Sequence, residues 1–249
     1  MKNFIDFSEK TILVTGATSG IGFEVCNQIS KYGGNIIGIG RNDNKLEEMK
    51  KNISGFEGIC FDLEKLDNIE ELIEKINIPL DGIIHAAGIV QLQPIKFIDI
   101  ELVNKIRTIN YDSIVLIISK LLKKKAIKKE SSIVFISSIA GEVGMKGNAI
   151  YSATKAALNS TAKVLASELA SQGIRVNTIA PGQVETELTK QIAEQVSSEA
   201  IEIDKKKYPL GYGSPEDVSN LALFLLSEKS RWITGTTVTI DGGRSNILN

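Results

Sequence analysis

Cysteine is scarce in this chain. Cys26 and Cys60 are the two among 249 residues, which excludes the disulfide framework of a small secreted scaffold and fits a reducing, cytoplasmic setting. Histidine is scarcer still, with His85 alone. One histidine and two distant cysteines give no metal-ligand spacing, so no metal site is expected. No run reaches the roughly 18 uninterrupted apolar residues of a membrane helix. Met1 to Lys10 carries charges where a signal peptide has its apolar stretch. A formal net charge of −1 supplies no overall positive field for nucleic acid. No Pro-rich or Gly/Ser-rich linker divides the chain, and nothing repeats at a short fixed period.

What is present is a globular composition, 43% hydrophobic and 24% charged, enough to fill a core. Short β-branched runs alternate with longer helical patterns. Strands are predicted over Thr11–Thr15, Asn35–Gly40, Gly58–Phe61, Gly82–Ala86, Ser132–Ile136, Ile174–Ile179 and Thr237–Ile240. Helices are predicted over Ile21–Tyr32, Asn44–Asn52, Leu66–Ile76, Ile98–Lys125, Ala149–Gln172 and Pro215–Ser227, the last with Ser214 as N-cap. Alternating apolar strands and helices predict one α/β domain, a doubly wound parallel sheet covered on both faces. The polar stretch Glu185 to Gly213 fits least well. Its place after a strand's carboxyl end suits a substrate lid, with a solvated helix pair as the plainer reading.

The first strand runs into Thr15-Gly16-Ala17-Thr18-Ser19-Gly20-Ile21-Gly22, where a helix starts. Glycines let the backbone turn and approach a pyrophosphate, and a helix N-terminus offers N–H groups and partial positive charge. Gly16, Thr18, Ser19, Gly20, Ile21 and Gly22 are therefore candidate dinucleotide contacts. The second strand ends in Gly40-Arg41-Asn42, with no carboxylate before Asp43. A carboxylate there would take the ribose 2′-hydroxyl, whereas Arg41 suits a 2′-phosphate, so NADP(H) is expected rather than NAD(H). Arg41 as a solvated residue, or stacked on adenine, is the alternative. Asp62, followed by Leu63, stands where it can contact the adenine edge or cap the next helix.

Tyr151 and Lys155 are i and i+4 and share a helix face. Carbonyl reduction needs a proton donor at oxygen, and a free tyrosine with pKa about 10 is weak at neutral pH unless neighbouring positive charge favours tyrosinate. Ser138 ends an apolar strand at the carboxyl edge, where such sheets bind ligands. With these elements in hand, the chain resembles the short-chain dehydrogenase/reductase family over almost its whole length. The resemblance rests on Thr15 to Gly22, His85-Ala86-Ala87-Gly88, Asn110, Ser138, Tyr151 to Lys155, Pro181 to Thr186, Ile233-Thr234-Gly235 and Ile240-Asp241-Gly242-Gly243. It comes nearest to the 3-oxoacyl-carrier-protein reductase-like branch.

The resemblance implies a seven-stranded sheet in the order 3-2-1-4-5-6-7 and a tetrad of Asn110, Ser138, Tyr151 and Lys155. Tyr151 would be the general acid/base, Ser138 would orient the substrate oxygen, and Lys155 would bind the nicotinamide ribose and lower the Tyr151 pKa. Asn110 would hold a relay water through its main chain. Ala86, Ala87 and Gly88 would pass under the cofactor, and Pro181, Gly182, Val184 and Thr186 would cover the nicotinamide. A homotetramer, or a homodimer, is implied as well. The family's usual Asn-Asn-Ala-Gly reads His-Ala-Ala-Gly here, and His85 is expected to tether strands in place of asparagine, with general base as the other reading. The expected substrate is a small carbonyl or alcohol, free or carrier-protein-bound. Lys123-Lys124-Lys125 and Lys128-Lys129 form one basic patch for such docking, and Gln172-Gly173 lacks the second. The short C-terminal region argues against a nucleotide-sugar epimerase or dehydratase. A dinucleotide sensor without chemistry is the remaining alternative.

Overall fold

The computed structural model describes residues 4–187, 189 and 198–246. Seven strands, β1 (Thr11–Thr15), β2 (Asn35–Gly40), β3 (Phe56–Cys60), β4 (Leu80–His85), β5 (Ile127–Ile136), β6 (Arg175–Pro181) and β7 (Thr237–Ile240), form one sheet. The order is β3-β2-β1-β4-β5-β6-β7, and every neighbouring pair is parallel. This is the expected doubly wound fold. Strand order reverses between β1 and β4, which opens a crevice at their carboxyl ends.

Period-two alternation in each central strand feeds two cores, one per face. Leu13, Ile83, Ile133 and Phe135 point to one face, under α3 (Ile69–Lys75), α5 (Ser113–Lys123) and α6 (Ala149–Leu169). Ile12, Val14, Ile84 and Val134 point to the other, under α1 (Gly20–Lys31), α2 (Asp43–Asn52) and α8 (Pro215–Leu226). Each of these buried apolar side chains contributes about 1.5–3 kcal/mol by leaving water. Ser214 caps α8 as expected, in a reciprocal box: its Oγ accepts from Asp217 N, and its N–H donates to the Asp217 carboxylate at 2.7 Å.

Three expectations need correction. The helix expected over Ile98–Lys125 is two helices, α4 (Ile100–Arg107) and α5, joined by a π-turn at Thr108–Asp112. Asp99 caps α4 by accepting from Leu102 N at 2.8 Å. Second, β5 starts at Ile127, not Ser132. Its first half carries exposed Lys128, Lys129 and Glu130, and a register shift against β4 absorbs them, so its alternation is hidden. Third, the helix expected over Leu66–Ile76 opens as a 3₁₀ turn at Leu66–Asn68. Arg175 was not singled out from sequence. Its guanidinium donates to the carbonyls of Leu225 at 2.7 Å and Ser227 at 3.1 Å, satisfying the C-terminal end of α8.

Candidate active site

At the end of β1, Gly16 (φ 69°) lies on the backbone beyond β4: a Cβ here would fall 2.8 Å from Ala87 Cα. A Cβ on Gly22 would fall 2.2 Å from the Gly16 carbonyl oxygen. Both positions demand glycine, and the result is a tight turn with α1 starting directly above it. Ser19 is the extended N-cap of α1, yet its side chain makes no capping bond and the first turn holds no acid. Elsewhere at this edge, α2 is capped by Asn42, whose Oδ1 accepts from Lys45 N at 3.0 Å, and α8 by its box. The α1 N-terminus, with Ser19, Gly20, Ile21 and Gly22, keeps its donors for an anion, so the residues present fit a pyrophosphate. Thr18 packs on Gly40, and Arg41 is exposed beside it, past β2.

Asp62 does not cap a helix. Its Oδ1 accepts from Glu64 N at 3.1 Å, closing its own turn. Leu63 is buried in the core, which leaves its main chain for any ligand contact.

Across the crevice, a cleft of about 690 Å³ brings together Ala86, Gly88, Ser138, Tyr151, Lys155 and the segment Pro181–Thr186. Ser138 follows β5, and Ser137 beside it donates to the Lys155 carbonyl at 3.0 Å, locking α6 to the strand end. Lys155 is buried, donates from Nζ to the Ile136 carbonyl at 2.8 Å, and stands 5.5 Å from the Tyr151 ring centroid. Burial depresses its ammonium to about 8. Burial pushes the Tyr151 phenol up, and a hydrogen bond with Ser138 pulls it partly back. With these groups alone, Tyr151 is protonated at neutral pH.

At the end of β6, Pro181 and then Gly182 lead to Val184, which bridges to Gly213. Glu185 N donates to the Gly213 carbonyl at 2.8 Å, and Gly213 N to the Gln183 carbonyl at 2.9 Å. Thr186 sits over the α1 N-terminus: a Cβ on Gly20 would come 3.3 Å from its Cγ2. The cover over the crevice is thus continuous from Pro181 to Thr186.

A family model described as "Enoyl-(Acyl carrier protein) reductase" matches residues 16–245. The 3-oxoacyl-(acyl-carrier-protein) reductase FabG of Rickettsia conorii is 36% identical over 242 residues, covering 96% of this chain and 98% of that protein. A short chain dehydrogenase family protein from Francisella tularensis superposes with a TM-score of 0.88 at 31% identity, covering 96% of this chain and 99% of the other. A 4-hydroxyisoleucine dehydrogenase complexed with NADH superposes with a TM-score of 0.86 at 28% identity, covering 96% and 100%. The chain belongs to the short-chain dehydrogenase/reductase family. It is an oxidoreductase acting on CH–OH or C=O groups with a nicotinamide cofactor.

In this short-chain dehydrogenase/reductase Asn110 is fully buried in the π-turn. Its amide donates to the Ile89 carbonyl at 2.9 Å and to Thr154 Oγ1 at 3.2 Å, while its Oδ1 accepts from Ile89 N at 2.8 Å. The side chain thereby ties the loop after β4 to α6, one residue before Lys155. His85 pairs with Thr15 across β1 and β4, and burial with nearby Lys155 pushes its imidazole down to about 3. It is a neutral tether, and the general-base reading fails. Among the described residues no cluster of His, Cys, Asp and Glu could hold a metal, and no helix is long and apolar enough to cross a membrane.

Two of the five patch lysines serve the fold. Lys124 Nζ donates to the Ile73 and Ile76 carbonyls at 2.8 Å each, and Lys128 pairs with Asp81 at 2.7 Å. The patch spans the end of α5 and the start of β5, whereas Ser138 follows the end of β5, so most of a strand length, about 30 Å, separates them.

Of the expected lid, 188 and 190–197 lie outside the described residues. The rest forms α7 (Ser198–Lys205) and a Tyr208–Tyr212 pair in edge contact at 5.0 Å. Tyr208 Oη accepts from Gln183 N at 3.3 Å, and Tyr212 Oη donates to Asp204 at 3.0 Å. Ile201, Tyr208 and Tyr212 line the cleft. Sequence reading missed both tyrosines. Two aromatics four apart after a lysine run were the available signal.

Proposed function

We propose that the protein interconverts a ketone and a secondary alcohol with NADP(H), working chiefly as a reductase. The carrying observation is the convergence of Ser138, Tyr151 and Lys155 on one cleft wall, facing the cover of the crevice. The nicotinamide, when bound, supplies or accepts the hydride. Ser138 holds the substrate oxygen beside the Tyr151 hydroxyl. Tyr151, kept protonated by burial, donates its proton to that oxygen as carbon is reduced. Lys155, charged below about 8, would hold the ribose and stabilise the tyrosinate left behind. Gly16 to Gly22 would hold the pyrophosphate, Arg41 and Thr18 a 2′-phosphate, and Asp62 and Leu63 the adenine. Ala86, Ala87 and Gly88 would support the cofactor from below, and Pro181, Gly182, Val184 and Thr186 would cover the nicotinamide.

The segment from Glu185 to Gly213 acts as the substrate lid. The substrate is a small carbonyl compound, with 3-oxoacyl thioesters the first class to assay because the aligned Rickettsia enzyme carries that name. A cytoplasmic homotetramer is the assembly we assign. Exposed Leu116 on α5, Val164 on α6 and Trp232 before β7 offer apolar contact surface for it. The deciding assay mixes protein with NADPH or NADH and a ketone panel that includes 3-oxoacyl thioesters. Oxidation of NADPH in preference to NADH by at least one ketone is expected. Tight NADPH binding with no ketone reduced would replace this reading with a dinucleotide sensor.

A further inference from the structure

His85 is a titratable group near Lys155 that the proton chemistry above leaves unused. Its two ring nitrogens reach in opposite directions. Nε2 lies 3.1 Å from the Asn110 carbonyl oxygen, and Nδ1 lies 2.8 Å from Thr15 Oγ1. A carbonyl only accepts, so Nε2 carries the proton and Nδ1 must accept from the Thr15 hydroxyl. Thr15 Oγ1 in turn accepts from Ala87 N at 3.3 Å. One polarised chain therefore runs from Ala87 through Thr15 and His85 to Asn110, with every donor and acceptor used.

The two ends of that chain belong to different halves of the site. Thr15 is the last residue of β1, next to Gly16 in the dinucleotide turn. Asn110 sits in the π-turn, where the helix ladder is widened and a carbonyl is free to point off the helix axis. Asn110 continues the chain through its side chain to Thr154 on α6. Gly88 lies within van der Waals reach of both ends of this link: a Cβ there would stand 3.3 Å from Lys155 Nζ and 3.6 Å from Asn110 Oδ1.

We propose that His85 is a positioning residue, a neutral strut that fixes the Asn110 turn, and through it Lys155, against the dinucleotide turn. This rests on the ketone–alcohol reading above. An imidazole suits the task because it is rigid and spans both partners with one plane. An asparagine can occupy the Nδ1 position but is too short for the Nε2 position; a glutamine reaches the Nε2 position instead. These two isosteres cut the strut at opposite ends.

The test compares His85→Asn and His85→Gln with the parent enzyme at saturating NADPH, alongside NADPH Kd and the rate at which an amine-acylating reagent labels Lys155, read by mass spectrometry. His85→Asn and His85→Gln should each lose about tenfold or more in kcat, with Kd within about threefold, because each keeps one bond of the strut and drops the other. Lys155 labelling should depart from the parent in both variants. Parent-like kcat and labelling in either variant, or losses that follow melting temperature alike in both, would overturn the proposal. If His85→Asn does not fold, Thr15→Val severs the other bond with shape retained. It must then lower kcat at saturating NADPH, and an unchanged kcat overturns the strut. A parent enzyme that reduces no ketone sinks the functional reading alone, because the labelling comparison still separates the variants from the parent.

Discussion

The two sides of the crevice are built from different materials. The side proposed for the cofactor, from Thr15 to Gly22, is main chain: glycines where a Cβ would strike Ala87 or Gly16, and a helix N-terminus left without a side-chain cap. The side proposed for the reaction is made of side chains: Ser138 at a strand end, Tyr151 and Lys155 a helical turn apart, with Ser137 bonded to the Lys155 carbonyl. Main-chain sites recognise what every dinucleotide shares. Side-chain sites set proton chemistry, and there burial controls the outcome by raising Tyr151 and depressing Lys155.

Substitutions on the two sides should therefore fail differently. Tyr151→Phe should cut turnover by about 10²–10⁴-fold while NADPH Kd, by fluorescence titration, barely moves. A joint loss would erase the division between the sides. Gly22→Ala should do the reverse. Its Cβ meets a carbonyl oxygen at 2.2 Å, so NADPH Kd should weaken by about tenfold or more and stability fall by about 1–3 kcal/mol, read by titration and thermal melting. Arg41→Asp should move the NADPH/NADH ratio of kcat/KM by about tenfold toward NADH, and an unmoved ratio would place the selector elsewhere.

The pH dependence separates the sides more gently. Lys155 is charged below about 8 and neutral above it. Turnover at saturating cofactor should fall several-fold between about pH 7 and 9, as the ammonium that steadies tyrosinate is lost. Tyr151, raised in the free protein, adds no loss in that window. The smallest effect is expected far from both sides. Reversing the charge of Lys128 and Lys129 should leave turnover of a carrier-bound substrate unchanged, since Lys128 is already engaged by Asp81.

Legibility followed the same division. The glycine turn, the strands feeding both cores and the Tyr151–Lys155 spacing were readable because each follows from backbone sterics or a period of 2 or 3.6. The π-turn was not, because Ile98 to Lys125 keeps a helical pattern straight through it and one widened turn leaves no compositional mark. The start of β5 was hidden by Lys128-Lys129-Glu130, which are exposed at the strand's amino end. Arg175 reads as a polar strand opener until the helix end it satisfies is in view. The role of His85 was half visible: the family's asparagine at this position suggested a tether, but its partner Asn110 is 25 residues away. The Tyr208–Tyr212 pair lies in the stretch of weakest periodicity.

The bridge between Val184 and Gly213 has a consequence for how such an enzyme can diversify. Main-chain bonds at Glu185 and Gly213 close the roots of the intervening segment on each other. Its ends stay fixed whatever lies between them, and lengthening a closed loop costs only about 0.6 kcal/mol per doubling. The segment is a replaceable cassette. Grafting a differently lined one between the same roots should redirect which ketone is accepted while Ser138, Tyr151, Lys155 and the dinucleotide turn remain as they are.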